Sequence, residues 1–228
     1  MSGRQLALTF PAVPSYAAAD FISSGSTHAA ESWLAAWPNW PAGRLVLVGP
    51  EASGKSHLGA IWCARSQAVL VPAARLRVGE VASCLGAAAH VLVEDAERAA
   101  GDPERERALL HLVNLIAEHG GTVLLTARTP PMGWPVSLPD LRSRLVASGS
   151  AAIGPPDEPL LAAVLAKQLA DRQIACDHAL LNSLVARLPR SFAAVAHAAS
   201  LLDALALAEG RRISRAQAAR VVSALTED

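Results

Sequence analysis

The stretch Gly49-Pro50-Glu51-Ala52-Ser53-Gly54-Lys55-Ser56 limits what this chain can fold into more than any other. It follows the apolar run Leu45-Val46-Leu47-Val48 and leads into His57-Leu58-Gly59-Ala60-Ile61-Trp62-Cys63, so it reads as strand, glycine loop, helix. Glycines at these two positions let backbone N–H groups turn toward a phosphate, and the helix that opens behind them directs its positive end to the same place. Lys55 is then placed for the β- and γ-phosphates, and the Ser56 hydroxyl for Mg²⁺. The competing reading is an ordinary Gly/Ser turn with a lysine nearby. With only two lysines in the chain, Lys55 and Lys167, a chance match is about one in a thousand. The nucleotide reading therefore makes residues 49 to 57, His57 included, candidate contacts.

Composition narrows the classes further. At 228 residues, 52% hydrophobic and 18% charged, the chain can form one substantial core and a smaller satellite domain. Lysine plus arginine equals aspartate plus glutamate at 20 each, so no overall basic field draws it to nucleic acid or to an anionic membrane. No run of about 18 apolar residues is available to span a bilayer, and the N-terminus lacks an export pattern. Cys63, Cys84 and Cys176 are odd in number and widely spaced, which is neither a disulfide framework nor a zinc pattern. They read as reduced core residues, and the chain as soluble and cytoplasmic.

Along the chain, Gln5-Leu6-Ala7-Leu8-Thr9-Phe10 alternates apolar side chains and is bounded by Pro11 and Pro14, consistent with an edge strand or a tail. A helix is expected from about 27 to 37, closed by Pro38. Strands are then expected near 44–48, 68–71, 90–95, 122–126 and 150–153, with helices between them near 55–66, 78–85, 103–118 and 138–145. That alternation predicts a parallel sheet with helices on both faces. Gly154-Pro155-Pro156 reads as a hinge. Beyond it only helical periodicity remains, near 157–173, 177–188, 191–208 and 214–226, with Asp177 and Ser214 where N-caps belong.

His90-Val91-Leu92-Val93 runs into Glu94 and Asp95, 38 and 39 residues after Ser56. Beside a phosphate loop, the first acid is placed to hold the metal through water and the second to polarise an attacking water. The alternative is a pair of acids capping a strand at the solvent edge. Thr126, at the tip of the following strand, is either a γ-phosphate sensor or a plain strand end. Arg142 and Arg144 lie two apart on a short helix and cannot share a face. One solvates, and the other points at something anionic.

Taken together, these motifs resemble an AAA+ module: a P-loop α/β base with a central parallel sheet flanked by helices, followed by a small all-helical lid. More narrowly the chain looks like the Hda family, replication-inactivating relatives of the bacterial initiator DnaA, over nearly its whole length. By that resemblance Gln5, Leu6, Leu8, Thr9 and Phe10 belong to a sliding-clamp-binding peptide. Asp20-Phe21-Ile22-Ser23-Ser24-Gly25 resembles the segment that packs on adenine, which makes Phe21 and Ile22 candidate contacts. Thr126-Ala127-Arg128-Thr129-Pro130-Pro131 and Leu138-Pro139-Asp140-Leu141-Arg142-Ser143-Arg144-Leu145 follow the family's sensor strand and arginine-finger helix, with Arg144 in the finger position. Two departures stand out. Glu94 replaces the usual aspartate, and Ala193 occupies the place of a second sensing arginine, with Arg190 three residues earlier as a substitute.

The resemblance implies an extended segment over 1–15, a nucleotide-binding base over 16–154 and a lid over 155–228. It implies ADP or ATP with Mg²⁺ as cofactors, and a sliding clamp and a DnaA-type initiator as partners. No direct sequence-specific DNA reading is implied, and self-association is left open. The function implied is negative regulation of replication initiation through a finger supplied in trans, by a chain whose own ATPase is weak or lacking. The alternatives are a self-contained AAA+ ATPase that loads or remodels a replication partner, and a non-catalytic nucleotide-binding clamp adaptor.

Overall fold

The computed structural model describes residues 16–209 and 213–226. Gln5, Leu6, Leu8, Thr9 and Phe10, and with them the clamp-peptide expectation, lie outside the described residues. Contacts divide the chain after Gly154, with Tyr16–Gly154 forming one compact unit and Pro155 onward belonging to another.

In the first unit the order is α1 (His28–Ala35), β1 (Arg44–Val48), α2 (Lys55–Ser66), β2 (Val69–Pro72), α3 (Val81–Leu85), β3 (His90–Glu94), α4 (Pro103–Glu118), β4 (Thr122–Ala127), α5 (Pro139–Val146) and β5 (Gly149–Ala152). The five strands form one parallel sheet ordered β2-β3-β4-β1-β5. This is the α/β architecture that the alternating pattern predicts.

Every residue of β1 and β4 is buried, as expected of central strands covered on both faces. Alternation then decides which layer each side chain joins. Val46, Val48, Val91, Val93, Val123 and Leu125 enter one core with Leu109, Leu112, Val113 and Ile116 of α4 and Leu141 and Leu145 of α5. On the other face Leu92 lies against Gly59 of α2, where an added Cβ would come within 2.8 Å of its Cδ2.

Local chemistry sets the helix ends. Asp102 caps α4 by accepting from the Glu104 and Arg105 amides at 3.0 and 3.2 Å, and Pro103 opens the helix where its missing N–H costs nothing. At the strand-start edge of the sheet, the Trp37 indole donates to Thr122 Oγ1 at 2.9 Å and packs edge-on against Trp62 and His90.

The described residues of the second unit form the helices α6 (Glu158–Asp171), α7 (His178–Val185), α8 (Phe192–Glu209) and α9 (Arg215–Thr226). Asp157 and Asp177 accept from the Leu160 and Leu180 amides at 2.9 and 2.7 Å. Ser214 and Gln217 cap α9 reciprocally, each side chain bonding the other's amide. Val195, Ala198, Ala199 and Leu202 of α8 are fully buried.

The cysteines depart from the sequence expectation. Cys84 is exposed and Cys63 and Cys176 are half-buried, so none is a full core residue. An apolar neighbourhood in sequence does not say which face of a helix a residue takes. Burial and the nearby Glu94 push the Cys63 thiol up to about 11, which keeps it protonated and unreactive.

Candidate phosphate-binding site

The loop Gly49–Gly54 leaves the C-terminal end of β1, between β4 and β5, and the first turn of α2 opens directly from it. Ligands of open α/β sheets bind at such an end. Two glycines are needed for physical reasons. Gly54 has φ 91°, in the left-handed region, and a Cβ on Gly49 would come within 2.7 Å of Ser53 Oγ and 3.1 Å of Ile153 Cβ. The cradle thus has room for the backbone and no more. Ser53 Oγ is buried without a hydrogen-bond partner.

The Lys55 ammonium folds back over its own loop and donates to the Gly49 and Pro50 carbonyls at 2.8 and 2.7 Å. Burial lowers its pKa, partly opposed by the carboxylates of Glu97, Asp95 and Glu51, while Arg128 adds to the lowering. These are carbonyl contacts that a polyphosphate can replace with stronger, charge-assisted ones.

Glu94 ends β3, and Asp95 follows it with φ 51°. The Asp95 amide donates to Thr126 Oγ1 at 3.2 Å, so the acidic strand end and the tip of β4 are joined. The sequence reading passed over Glu97, which heads the carboxylates acting on Lys55. Its Oε1 accepts from the Arg128 amide at 3.0 Å, and its Oε2 is buried and unpartnered. A third acid two residues after Asp95 was visible in the sequence, but nothing local said that it turns back toward the loop. Arg128 itself reaches Glu51, with Nη1 2.9 Å from Oε2.

Phe21 lies over the loop, its Cε2 3.3 Å from where a Cβ on Gly54 would sit. His57 donates through Nε2 to the Ala17 carbonyl at 2.9 Å and stands edge-on to both Tyr16 and Phe21. His57 therefore fastens the segment holding Phe21, and the neighbouring half-buried Ile22, to α2.

A metal and a nucleotide fit this donor set. Among the described residues no three His, Cys, Asp or Glu side chains form a metal-holding group, but Mg²⁺ is ordinarily held by one or two carboxylates with phosphate oxygens and waters. The exposed Ser56 at the head of α2 and Glu94 with Asp95 at the end of β3 are the groups available for that role. Two orphaned polar atoms, Ser53 Oγ and Glu97 Oε2, also lie in the site's own residues.

Arg144 is elsewhere. The last turn of α5 runs into β5, whose Gly149 is in register with Leu45 near the start of β1. Arg144 therefore lies at the strand-start edge, and the phosphate loop at the other end of β1. Burial and the nearby Arg144 both lower the Arg44 pKa, and Ser148 Oγ links the two residues, accepting from Arg44 Nε at 3.4 Å and donating to the Arg144 carbonyl at 2.9 Å. Arg144 Nε is 3.3 Å from Asp140, whereas Arg142 donates to the Val136 carbonyl.

What holds this helix is Glu106, a fully buried carboxylate of α4. It accepts from the Gly101 amide at 2.9 Å, the Ser137 hydroxyl at 2.6 Å and the Ser137 and Leu138 amides at 3.0 Å. In the second unit Arg190 is exposed and lies 3.6 Å from Glu158, and Ala193 is exposed in the first turn of α8.

The fold recurs in solved structures. Domain III of the Thermotoga maritima replication initiation protein DnaA matches with a TM-score of 0.76 at 16% identity, over 96% of this chain and 100% of that one. The chain has the fold of DnaA domain III. AMPPCP-bound DnaA from Aquifex aeolicus matches with a TM-score of 0.68 at 15% identity, over 88% of this chain and 68% of that one. The Thermotoga maritima RuvB Holliday junction branch migration motor matches with a TM-score of 0.63 at 16% identity, over 89% and 68% respectively. The likeness is one of fold, and no protein-family model matches the sequence.

Proposed function

We propose that this chain is an Hda-type negative regulator of replication initiation. It holds ADP or ATP with Mg²⁺ at the phosphate loop, docks on the sliding clamp through Gln5-Leu6-Ala7-Leu8-Thr9-Phe10, and offers Arg144 to ATP held by a DnaA-type initiator. The observation that carries this reading is the separation of Arg144 from the chain's own loop by the length of β1, a five-residue strand and hence roughly 15 Å. An arginine so placed cannot serve the chain's own phosphates from its present backbone position. A guanidinium at that edge is suited to a neighbour's phosphates, where its planar fork can bind two oxygens at once. Within its own site Lys55 would neutralise phosphate charge, Ser53 and the loop amides would orient the phosphates, and Phe21 would cover the nucleoside side of the loop.

The test is hydrolysis of initiator-bound ATP, followed with this protein and DNA-loaded clamp, separately and together. Acceleration only when both are present supports the proposal; no acceleration overturns it. A second reading, a self-contained ATPase, is favoured by the acids Asp95 and Glu97, whose charges act on Lys55. ATP turnover by the purified chain alone distinguishes it.

A further inference from the structure

Arg128 is held at two points by two acids. Its amide donates to Glu97 Oε1 at 3.0 Å, and its guanidinium reaches Glu51 Oε2 at 2.9 Å. The residue before it is also tied to the loop, because the Gly49 amide donates to the Ala127 carbonyl at 3.0 Å. The backbone of Arg128 is thus fixed beside the phosphate loop, and only its side chain is free to change partner. The Glu51 it pairs with is itself a loop residue, 77 positions away in sequence.

We propose that the Glu51–Arg128 ion pair is a charge latch tying the phosphate loop to the end of β4, and that a nucleoside triphosphate opens it by taking Glu51's place on Arg128. The exchange is downhill for a triphosphate. The ion pair is half-exposed on both sides, with 47% and 62% of the side chains accessible, and pairs this open are weak. A terminal phosphate carries more charge than one carboxylate and matches the guanidinium fork with two oxygens. A diphosphate, one phosphate shorter, leaves the latch closed. The pair therefore makes the site discriminate between the two nucleotides, and its opening frees the Glu51 side chain while the Gly49 amide stays on the Ala127 carbonyl.

The inference rests on the nucleotide reading of the loop, and the test separates the two. Affinities for AMPPCP and ADP, both with Mg²⁺, are measured by calorimetry for the full chain and for Glu51→Gln, Arg128→Ala, the double variant and Lys55→Ala. The latch predicts that Arg128→Ala lowers the triphosphate-to-diphosphate affinity ratio about tenfold. It also predicts that Glu51→Gln raises the ratio at least threefold, and that adding Glu51→Gln to Arg128→Ala leaves the ratio within twofold. If Arg128→Ala keeps the wild-type ratio, or if Glu51→Gln raises the ratio equally in both backgrounds, the latch is overturned while the loop remains the nucleotide site. If Lys55→Ala binds both nucleotides as the wild type does, the site reading fails and the latch falls with it.

Discussion

Thr126 Oγ1 accepts the Asp95 amide proton at 3.2 Å and so joins the end of the acidic strand to the tip of the neighbouring one. Asp95 is in the left-handed region at φ 51°, a conformation that aspartate tolerates better than most residues but that needs support. Thr126 is 2% exposed, so its hydroxyl has little access to water as an alternative partner. Thr126→Val keeps the shape and leaves the Asp95 amide without its acceptor, which costs about 1 kcal/mol. Urea denaturation should show that loss, and Thr126→Ser should restore most of it. An unchanged midpoint in the valine variant would mean that the bond contributes nothing to the fold.

Lys55 donates to the Gly49 and Pro50 carbonyls, and under the proposed function a bound nucleotide would exchange these two neutral acceptors for charged ones. Lys55→Ala should weaken ADP binding at least tenfold, about 1.4 kcal/mol. Calorimetry on the folded variant decides the matter, since equal affinity removes the loop from the site.

Much of this architecture is written locally in the sequence. The glycine loop, the alternation of buried strands with helices and the capping residues Asp177 and Ser214 are short-range patterns, and the elements form where they predict. What escaped is long-range. Glu51 and Arg128 lie 77 residues apart, and no periodicity links them. Glu106 was legible in principle, because 106, 109, 113 and 116 form one helical stripe and the other three residues are apolar. It was hidden in the charged run Glu104-Arg105-Glu106-Arg107, which reads as a solvated first turn.

Glu106 gives a prediction with a pH signature. Burial pushes its pKa up, but the bonds from Ser137, Gly101 and Leu138 outweigh that and hold it below the ordinary 4.5. A carboxyl depressed in the folded state stabilises the fold fully above its unfolded pKa and loses that contribution as pH falls through the folded one. Glu106→Gln should cost about 2 kcal/mol or more at neutral pH, because charge-assisted bonds are lost and an amide N–H is turned toward donors. It should also flatten the decline in stability below about pH 4. Denaturation midpoints across that range provide the check, and parallel curves for the two proteins would exclude Glu106 as an acid-sensitive anchor of the α5 loop.

Arg144 supplies the sharpest test of the proposed function. Its partner within the chain is Asp140, four residues away on the same helix, and such surface pairs contribute about 0.3–0.5 kcal/mol. Removing Arg144 also relieves the like charge beside Arg44, so Arg144→Ala should leave the denaturation midpoint nearly unchanged. On the proposed function its effect is on a neighbour's phosphates. Arginine fingers contribute about 10³ to 10⁵ in rate to phosphoryl transfer, so initiator-bound ATP should become long-lived with the alanine variant even when clamp is present. Arg144→Lys keeps the charge but not the planar fork, and should rescue poorly. Arg142 is the control, because its guanidinium is already committed to the Val136 carbonyl and its replacement should slow hydrolysis far less. Full acceleration by Arg144→Ala together with loss in Arg142→Ala would transfer the role from one arginine to the other. Full acceleration by both variants would remove this helix from the reaction.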